Sequence, residues 1–366
     1  VSRRQVYLHI GAPKTGTTYL QDRLHINARS LAKHGVHFPA RSPFVDPTLF
    51  HFRAALDVLD QDWGGPTGHA VGNWDALVRR VRRRSGTVVI SHEIFAPATP
   101  DYVRKVKRDL EGAELHIVYT ARDLARQVPA SWQESIKQGR QWSFRRYLRR
   151  VQADKTWFYR SFDLPQVLST WGAGMSPERV HVVTVPSRAT NPNPADDLWS
   201  RFCRAIGADP AWGPLESDRT NDSLGIAEVQ LLRRLNRRMG RAARLENSYD
   251  SLVRELLAQT ELAARTSPPV RLPPQAYPWA SEKAERWIEW IEQSGVDLIG
   301  DVTELRPVPP AEDEPWIDPD QARRRAQLAA AVDALAAMTR EAARRPDPDQ
   351  QLVSKVRTQA QRLRER

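Results

Sequence analysis

Cysteine is nearly missing from this chain of 366 residues. Cys203 stands alone, so no internal disulfide can form, and its place in the apolar-periodic stretch Leu198 to Ile206 is that of a small core residue. No apolar run approaches the roughly 18 residues that a membrane span needs. No signal-like segment precedes the first strand either, which makes a cytoplasmic location the expectation. The histidines lack HExxH or any other ligand spacing, so no metal is expected. Lysine is scarce: only eight of the 55 basic residues are lysine, and the net charge of +11 is carried by arginine, as in Arg79 Arg80 Val81 Arg82 Arg83 Arg84. Such an excess is a common footprint of nucleic-acid binding, yet no nucleic-acid module is present. Solvated helix faces that also draw in an anionic ligand account for it better.

The chemistry concentrates near the start. Val6 Tyr7 Leu8 His9 Ile10 reads as a buried strand, and Tyr19 to Lys33 carries Leu20, Leu24, Ile26 and Leu31 near helical spacing. Between them lies Gly11 Ala12 Pro13 Lys14 Thr15 Gly16 Thr17 Thr18. Strand, glycine loop and helix in that order make an anion site, because unpaired backbone N–H groups and the positive end of the helix dipole converge there. Lys14 adds a charge, and Thr15, Thr17 and Thr18 add hydroxyls. The NTPase loop GxxxxGK[ST] is matched at Gly11, Gly16 and Thr18, but its lysine position holds Thr17. The later strand Thr87 to Ser91 ends in His92 Glu93, without the Asp that would hold magnesium. A sulfuryl group carries less charge than a phosphoryl group, and a lysine with loop amides can stabilise it without a metal. The plain alternative, a turn rich in Gly, Pro and Thr, leaves the meeting of several donor types unexplained.

The segment Ala12 Pro13 Lys14 Thr15 Gly16 Thr17 Thr18 resembles the 5′-phosphosulfate loop of sulfotransferases that use 3′-phosphoadenosine-5′-phosphosulfate as co-substrate. The resemblance covers most of residues 5 to 305 and places Lys14 on the sulfonate and bridging oxygen, with Pro13 through Thr18 around the donor. It implies a P-loop-like sulfotransferase fold of the bacterial type: an α/β parallel sheet flanked by helices, followed by a helical C-terminal region.

Strands Thr87 to Ser91, Leu115 to Thr120 and Val180 to Val185 alternate with helices over Trp74 to Arg83, from Asp123 through Gln138, and Ala195 to Ile206. Residues 40 to 74 show no lasting period and suit a long loop or short helices around an acceptor pocket. Leu224 to Met239 and Leu245 to Leu256 read as amphipathic helices, and Trp287 and Trp290 belong to another that ends near Gly295. The expected division is an α/β donor-binding core over 1–210, a helical remainder with lid and acceptor functions over 211–305, and a proline-rich linker with helical extension over 306–366. That extension, with helices over Asp320 to Arg344 and from Gln350, is free to cap the domain or to pair with another subunit as a homo-oligomer.

Three motifs fall at strand ends. His92 is the expected general base, since its ordinary pKa lies near ambient pH, with Glu93 as the alternative because adjacent side chains leaving a strand point apart. In the related enzymes a histidine or a glutamate follows this strand. Arg122, after the third strand, matches the family's 3′-phosphate arginine. The family serine eight residues on is here Ala130, which leaves Ser131, shifted by Pro129, or Gln127 as the partner donor. For Arg122 the competing structural role is an ion pair with Asp123 or Glu134. Arg219, in the capping-rich loop Asp218 to Ser223, stands where the family closes a basic loop over the 3′-phosphate, although Asn221 or Ser223 as a simple helix cap fits equally well. The expected reaction is sulfuryl transfer to a hydroxyl of a small-molecule, carbohydrate or lipid acceptor. The rivals are a P-loop small-molecule kinase, which would need magnesium, and a non-catalytic anion- or nucleic-acid-binding protein, whose binding would fall steeply with salt.

Overall fold

The β-branched runs of the first half assemble into one sheet. A computed structural model of the chain describes residues 4–42, 44–187, 197–217, 223–244, 247–311, 313 and 315–345. Its strands are β1 (Gln5–His9), β2 (Val36–His37), β3 (Thr87–Ser91), β4 (Glu114–Ala121), β5 (Val180–Thr184) and β6 (Asp297–Ile299). They lie in the order β2-β3-β1-β4-β5-β6. All pairings are parallel, with Gln5 level with both Thr87 and Glu114. After its first residue each of β1, β3 and β4 is buried at every position, and β5 is buried throughout. Both faces of the sheet are therefore covered, as a parallel sheet requires. The protein is thus α/β, as expected.

The chain leaves β1 for the β2 edge, returns to β3 beside β1, and then crosses β1 to lay down β4, β5 and β6 on the other side. The carboxyl ends of β1 and β4 flank the switch point, where open parallel sheets bind ligands.

Contacts divide the chain into two compact units, Val1–Glu134 with Trp142–Asn221 and Val270–Asp318, and Ser135–Gln141 with Asp222–Pro269 and Pro319–Arg366. The first holds the whole sheet. Its sixth strand is three residues long and is supported by a buried ion pair nearby. Arg201, on the helix Leu198–Ala205, pairs with Glu304, both 1% exposed, and Thr184 at the end of β5 donates to the same carboxylate at 2.6 Å. In the second unit the helix Ile226–Arg238 buries Asn236, whose amide donates to the Ile136 and Arg140 carbonyls at 2.8 and 2.9 Å and accepts from the Tyr249 hydroxyl at 2.6 Å. The helix Arg324–Arg344 buries Ala330, Ala334 and Ala337 on one face. The helix expected from Gln350 lies outside the described residues.

Three elements differ from the reading of the sequence. The helix expected over Tyr19 to Lys33 is two, Thr17–Ile26 and Ala28–Lys33. Asn27 causes the break: its amide takes the Arg23 carbonyl at 2.9 Å and also bonds the Leu215 N–H and C=O, both at 2.9 Å, so a side chain competes with the helix ladder. Within residues 40 to 74 a full helix, Pro47–Val58, has formed. Asp46 caps it by accepting from the Thr48 N–H at 2.8 Å, and Pro47 sits in the first turn. The arginine run after Trp74 is partly structural, since Arg80 donates to the Ala40 carbonyl at 2.8 Å and Arg82 to that of Asp109 at 3.0 Å.

Candidate active site

The loop after β1 turns back over the ends of β4 and β3. Gly11, at φ 112°, allows this, and a Cβ there would stand 3.1 Å from the Glu93 Cβ. Lys14 is a non-glycine residue in the left-handed region, at φ 65°. That conformation costs about 1–2 kcal/mol and needs outside support. The support is carbonyl capture: Arg122 Nη1 donates to the Lys14 carbonyl at 3.0 Å, Gln127 Nε2 to that of Pro13 at 2.9 Å, and Thr15 Oγ1 to that of Ala12 at 2.5 Å. Gly16, also left-handed, starts the helix Thr17–Ile26 without any side-chain cap, so the amides of its first turn are open toward the loop.

A buried polar chain lies beneath. Ser91 Oγ is 2.8 Å from His9 Nδ1, His9 Nε2 is 3.3 Å from Thr120 Oγ1, and Thr120 donates to the Gly11 carbonyl at 3.0 Å. Thr15 Oγ1 closes on Thr120 Oγ1 as well. Three neighbouring strands are thus tied to the floor of the loop. Burial lowers the His9 pKa to about 3, so the ring is neutral. Thr15 and Thr17, expected among the anion donors, are 1% and 3% exposed, and the Thr15 hydroxyl is spent on this floor, whereas Lys14, Gly16 and Thr18 are half-exposed.

The Lys14 ammonium reaches Glu134 Oε2 at 3.2 Å, and Asp123 pairs with Arg126. The two carboxylates that competed for Arg122 are therefore engaged with other cations. Among the described residues Arg122 keeps only the carbonyl bond and its buried Nε has no partner; burial lowers its pKa to about 10, with Arg126 adding to the effect and Asp123 opposing it. A buried guanidinium with no salt bridge among the described residues is chemically suited to an incoming anion. Gln127 Oε1 likewise has no partner among the described residues. Ser131 is fully buried on the helix Leu124–Lys137; it donates to the Val128 carbonyl at 2.8 Å and accepts from the Tyr147 hydroxyl at 2.7 Å. Its one proton is committed. Arg219 lies outside the described residues.

His92 and Glu93 follow β3 into a single 3₁₀ turn, Glu93–Phe95. The Ile94 N–H donates to His92 Nδ1 at 3.2 Å, so in the neutral ring Nε2 carries the proton. In that tautomer neither nitrogen is an idle base. Burial also lowers the His92 pKa. Glu93, packed against Gly11, is half-buried. Sequence reasoning overlooked His51, which is fully buried, bonds the Pro39 carbonyl at 2.8 Å and accepts from the Ser91 N–H at 3.2 Å; burial lowers its pKa to about 4. It also overlooked Glu134 as the partner of Lys14. Seven residues beyond Gln127, Glu134 lies two helical turns along the same face, a spacing that could have flagged it.

Among the described residues no three His, Cys, Asp or Glu side chains stand together as a metal site, and no helix is long and apolar enough to cross a membrane. No family model and no curated protein matches the chain. Among solved structures, the sulfotransferase domain from the curacin biosynthetic pathway matches 57% of this chain and 74% of its own length at 13% identity, with a TM-score of 0.25. Likeness at that level carries no argument about the site.

Proposed function

We infer that this chain is a sulfotransferase that moves the sulfuryl group of 3′-phosphoadenosine-5′-phosphosulfate to an acceptor hydroxyl. The observation that carries the reading is the pair of cations at one loop: Lys14 at its apex, and Arg122, from the end of β4, clamped to the Lys14 carbonyl with its own Nε lacking a partner among the described residues. Two anionic groups of one donor suit this pair. Lys14 would leave Glu134 for the sulfonate and bridging oxygen, where it and the amides of the first helical turn stabilise developing charge. Arg122 would hold the 3′-phosphate, with Gln127 beside it; Ser131 could join only by giving up the Val128 carbonyl. The proton of the acceptor passes to His92 or Glu93, and the Ile94 bond to His92 Nδ1 favours the Glu93 carboxylate. A P-loop kinase, which needs magnesium, and a non-catalytic anion binder remain the rival readings.

The test is donor recognition. 3′-Phosphoadenosine-5′-phosphate should raise the melting temperature in the presence of chelator, by roughly 2.7 kcal/mol of stabilisation at ~100 times its dissociation constant. Equal stabilisation by adenosine-5′-phosphate removes the 3′-phosphate from the reading, and loss of the effect in chelator favours the kinase.

A further inference from the structure

The helix Asn73–Arg82 ends in cations, and its neighbours add to their charge. Arg79, Arg82, Arg83 and Arg84 are exposed along its last turns and just beyond. Arg4, just before β1, donates to the Arg84 and Arg82 carbonyls at 2.7 and 2.6 Å. Arg80 donates to the Ala40 carbonyl at 2.8 Å and also to that of Arg41, which holds the segment after β2 against the helix. Arg41 in turn donates to Asn73 Oδ1 at 2.7 Å. Every acceptor in this set is neutral. Among the described residues none of these guanidiniums forms an ion pair with a carboxylate. Asp109 pairs with Lys105, Asp57 accepts from the Trp74 N–H, Asp46 accepts from that of Thr48, and Asp75 pairs with none of the arginines. The cations are close enough to act on one another: after burial, the charges of Arg41, Arg83 and Arg79 lower the Arg80 pKa.

Two apolar side chains flank Arg41. Phe44, three residues beyond it, is 97% exposed, and Val71, two residues before the Asn73 that Arg41 bonds, is 76% exposed. They are the two most exposed large apolar side chains among the described residues. The Val45 N–H donates to the Ser42 carbonyl at 3.3 Å, so Phe44 sits in a turn between Arg41 and the start of the helix Pro47–Val58. The helix dipole favours arginine at a helix C-terminus, but it accounts for neither Arg4, Arg41 nor the exposed pair. A single exposed apolar side chain is ordinary. Two beside one cation of an unneutralised cluster fit a partner that is anionic at its surface and apolar beneath. A nucleic acid would meet the arginines and could stack a base on Phe44, but it offers Val71 nothing. We propose that this face, the arginines of 79–84 with Arg41, Phe44 and Val71, docks the protein on an anionic lipid surface, guanidiniums on the headgroup phosphates and the two apolar side chains below them. The docking does not depend on the sulfotransferase reading.

The probe is a set of vesicles, of phosphatidylcholine alone and of phosphatidylcholine and phosphatidylglycerol in equal amounts, with the bound fraction of the full chain measured by co-sedimentation. Binding to the anionic vesicles alone is expected, weaker as salt is raised. Arg79→Gln with Arg83→Gln should weaken it roughly 20- to 30-fold, since each arginine near such a surface is worth about fivefold. Phe44→Ser should weaken it at least ~10-fold by removing the inserted ring. These side chains are exposed, so the melting temperature should stay unchanged in both variants. No binding to anionic vesicles, equal binding to both kinds, or anionic binding that either variant leaves unchanged overturns the proposal. A single-stranded oligonucleotide bound more tightly than the vesicles, through the same arginines, overturns it in favour of nucleic acid.

Discussion

Arg122 donates through Nη1 to the carbonyl of Lys14 at 3.0 Å, so the residue following β4 holds the apex of the loop following β1 in its left-handed conformation. One guanidinium thus shapes the loop and faces the switch point. Replacing it removes both roles. In Arg122→Ala, affinity for 3′-phosphoadenosine-5′-phosphate should fall ~10- to 100-fold, the loss of a charge-assisted bond worth about 1.5–3 kcal/mol. Adenosine-5′-phosphate should lose less. Calorimetric titration of both nucleotides checks this, and an equal loss for the two leaves only the loop-shaping role.

Lys14→Ala should weaken donor binding and transfer together, since the proposed function puts its ammonium at the transferring group. Glu93→Gln should leave the nucleotide affinity nearly unchanged and slow transfer by ~10² to 10⁴, the usual weight of a general base. His92→Ala should cost less. Single-turnover rates with radiolabelled donor decide the matter: a larger loss in His92→Ala returns the base to the histidine and requires its ring to release the Ile94 N–H.

Acid should destabilise the fold well above the carboxylate range. His9 and His51 are held neutral by burial, with pKa values near 3 and 4 against an ordinary 6.5. Lowered histidine pKa values mean that the unfolded chain binds more protons, so the contribution is complete above pH 6.5 and is lost as pH falls toward 4. Over the middle of that window the two together give a slope of up to about 2.7 kcal/mol per pH unit. Melting temperatures between pH 7 and 4.5 measure it, and a flat profile removes this assignment.

The Arg201–Glu304 pair is buried on both sides and sensitive to a single change. Glu304→Ala removes the carboxylate that pairs with the Arg201 guanidinium, 1% exposed, and breaking such a buried pair costs about 3–5 kcal/mol. Denaturant unfolding of the variant checks the magnitude. Loss below 1 kcal/mol indicates that Arg201 reaches water or another acceptor once the carboxylate is gone.

Continuous β-branched runs at Val6, Val88, Ile117 and Val182 were sufficient by themselves to place four strands of the sheet, because a strand covered on both faces writes its burial directly into its composition. The order of strand, Lys14 loop and helix was legible for the same local reason. What only the tertiary structure decided lies in contacts between distant residues. Asn27 splits a helix through its bonds to Leu215, Glu134 meets Lys14 rather than Arg122, and the Ile94 N–H occupies the nitrogen that made His92 attractive as a base. Strand β6 has three residues, too few for any period, and exists by pairing with β5. Local composition records which backbone conformations a segment favours and how much of it is buried. It carries no record of which partner satisfies each polar atom, and that choice settles the charges and tautomers on which the chemistry depends.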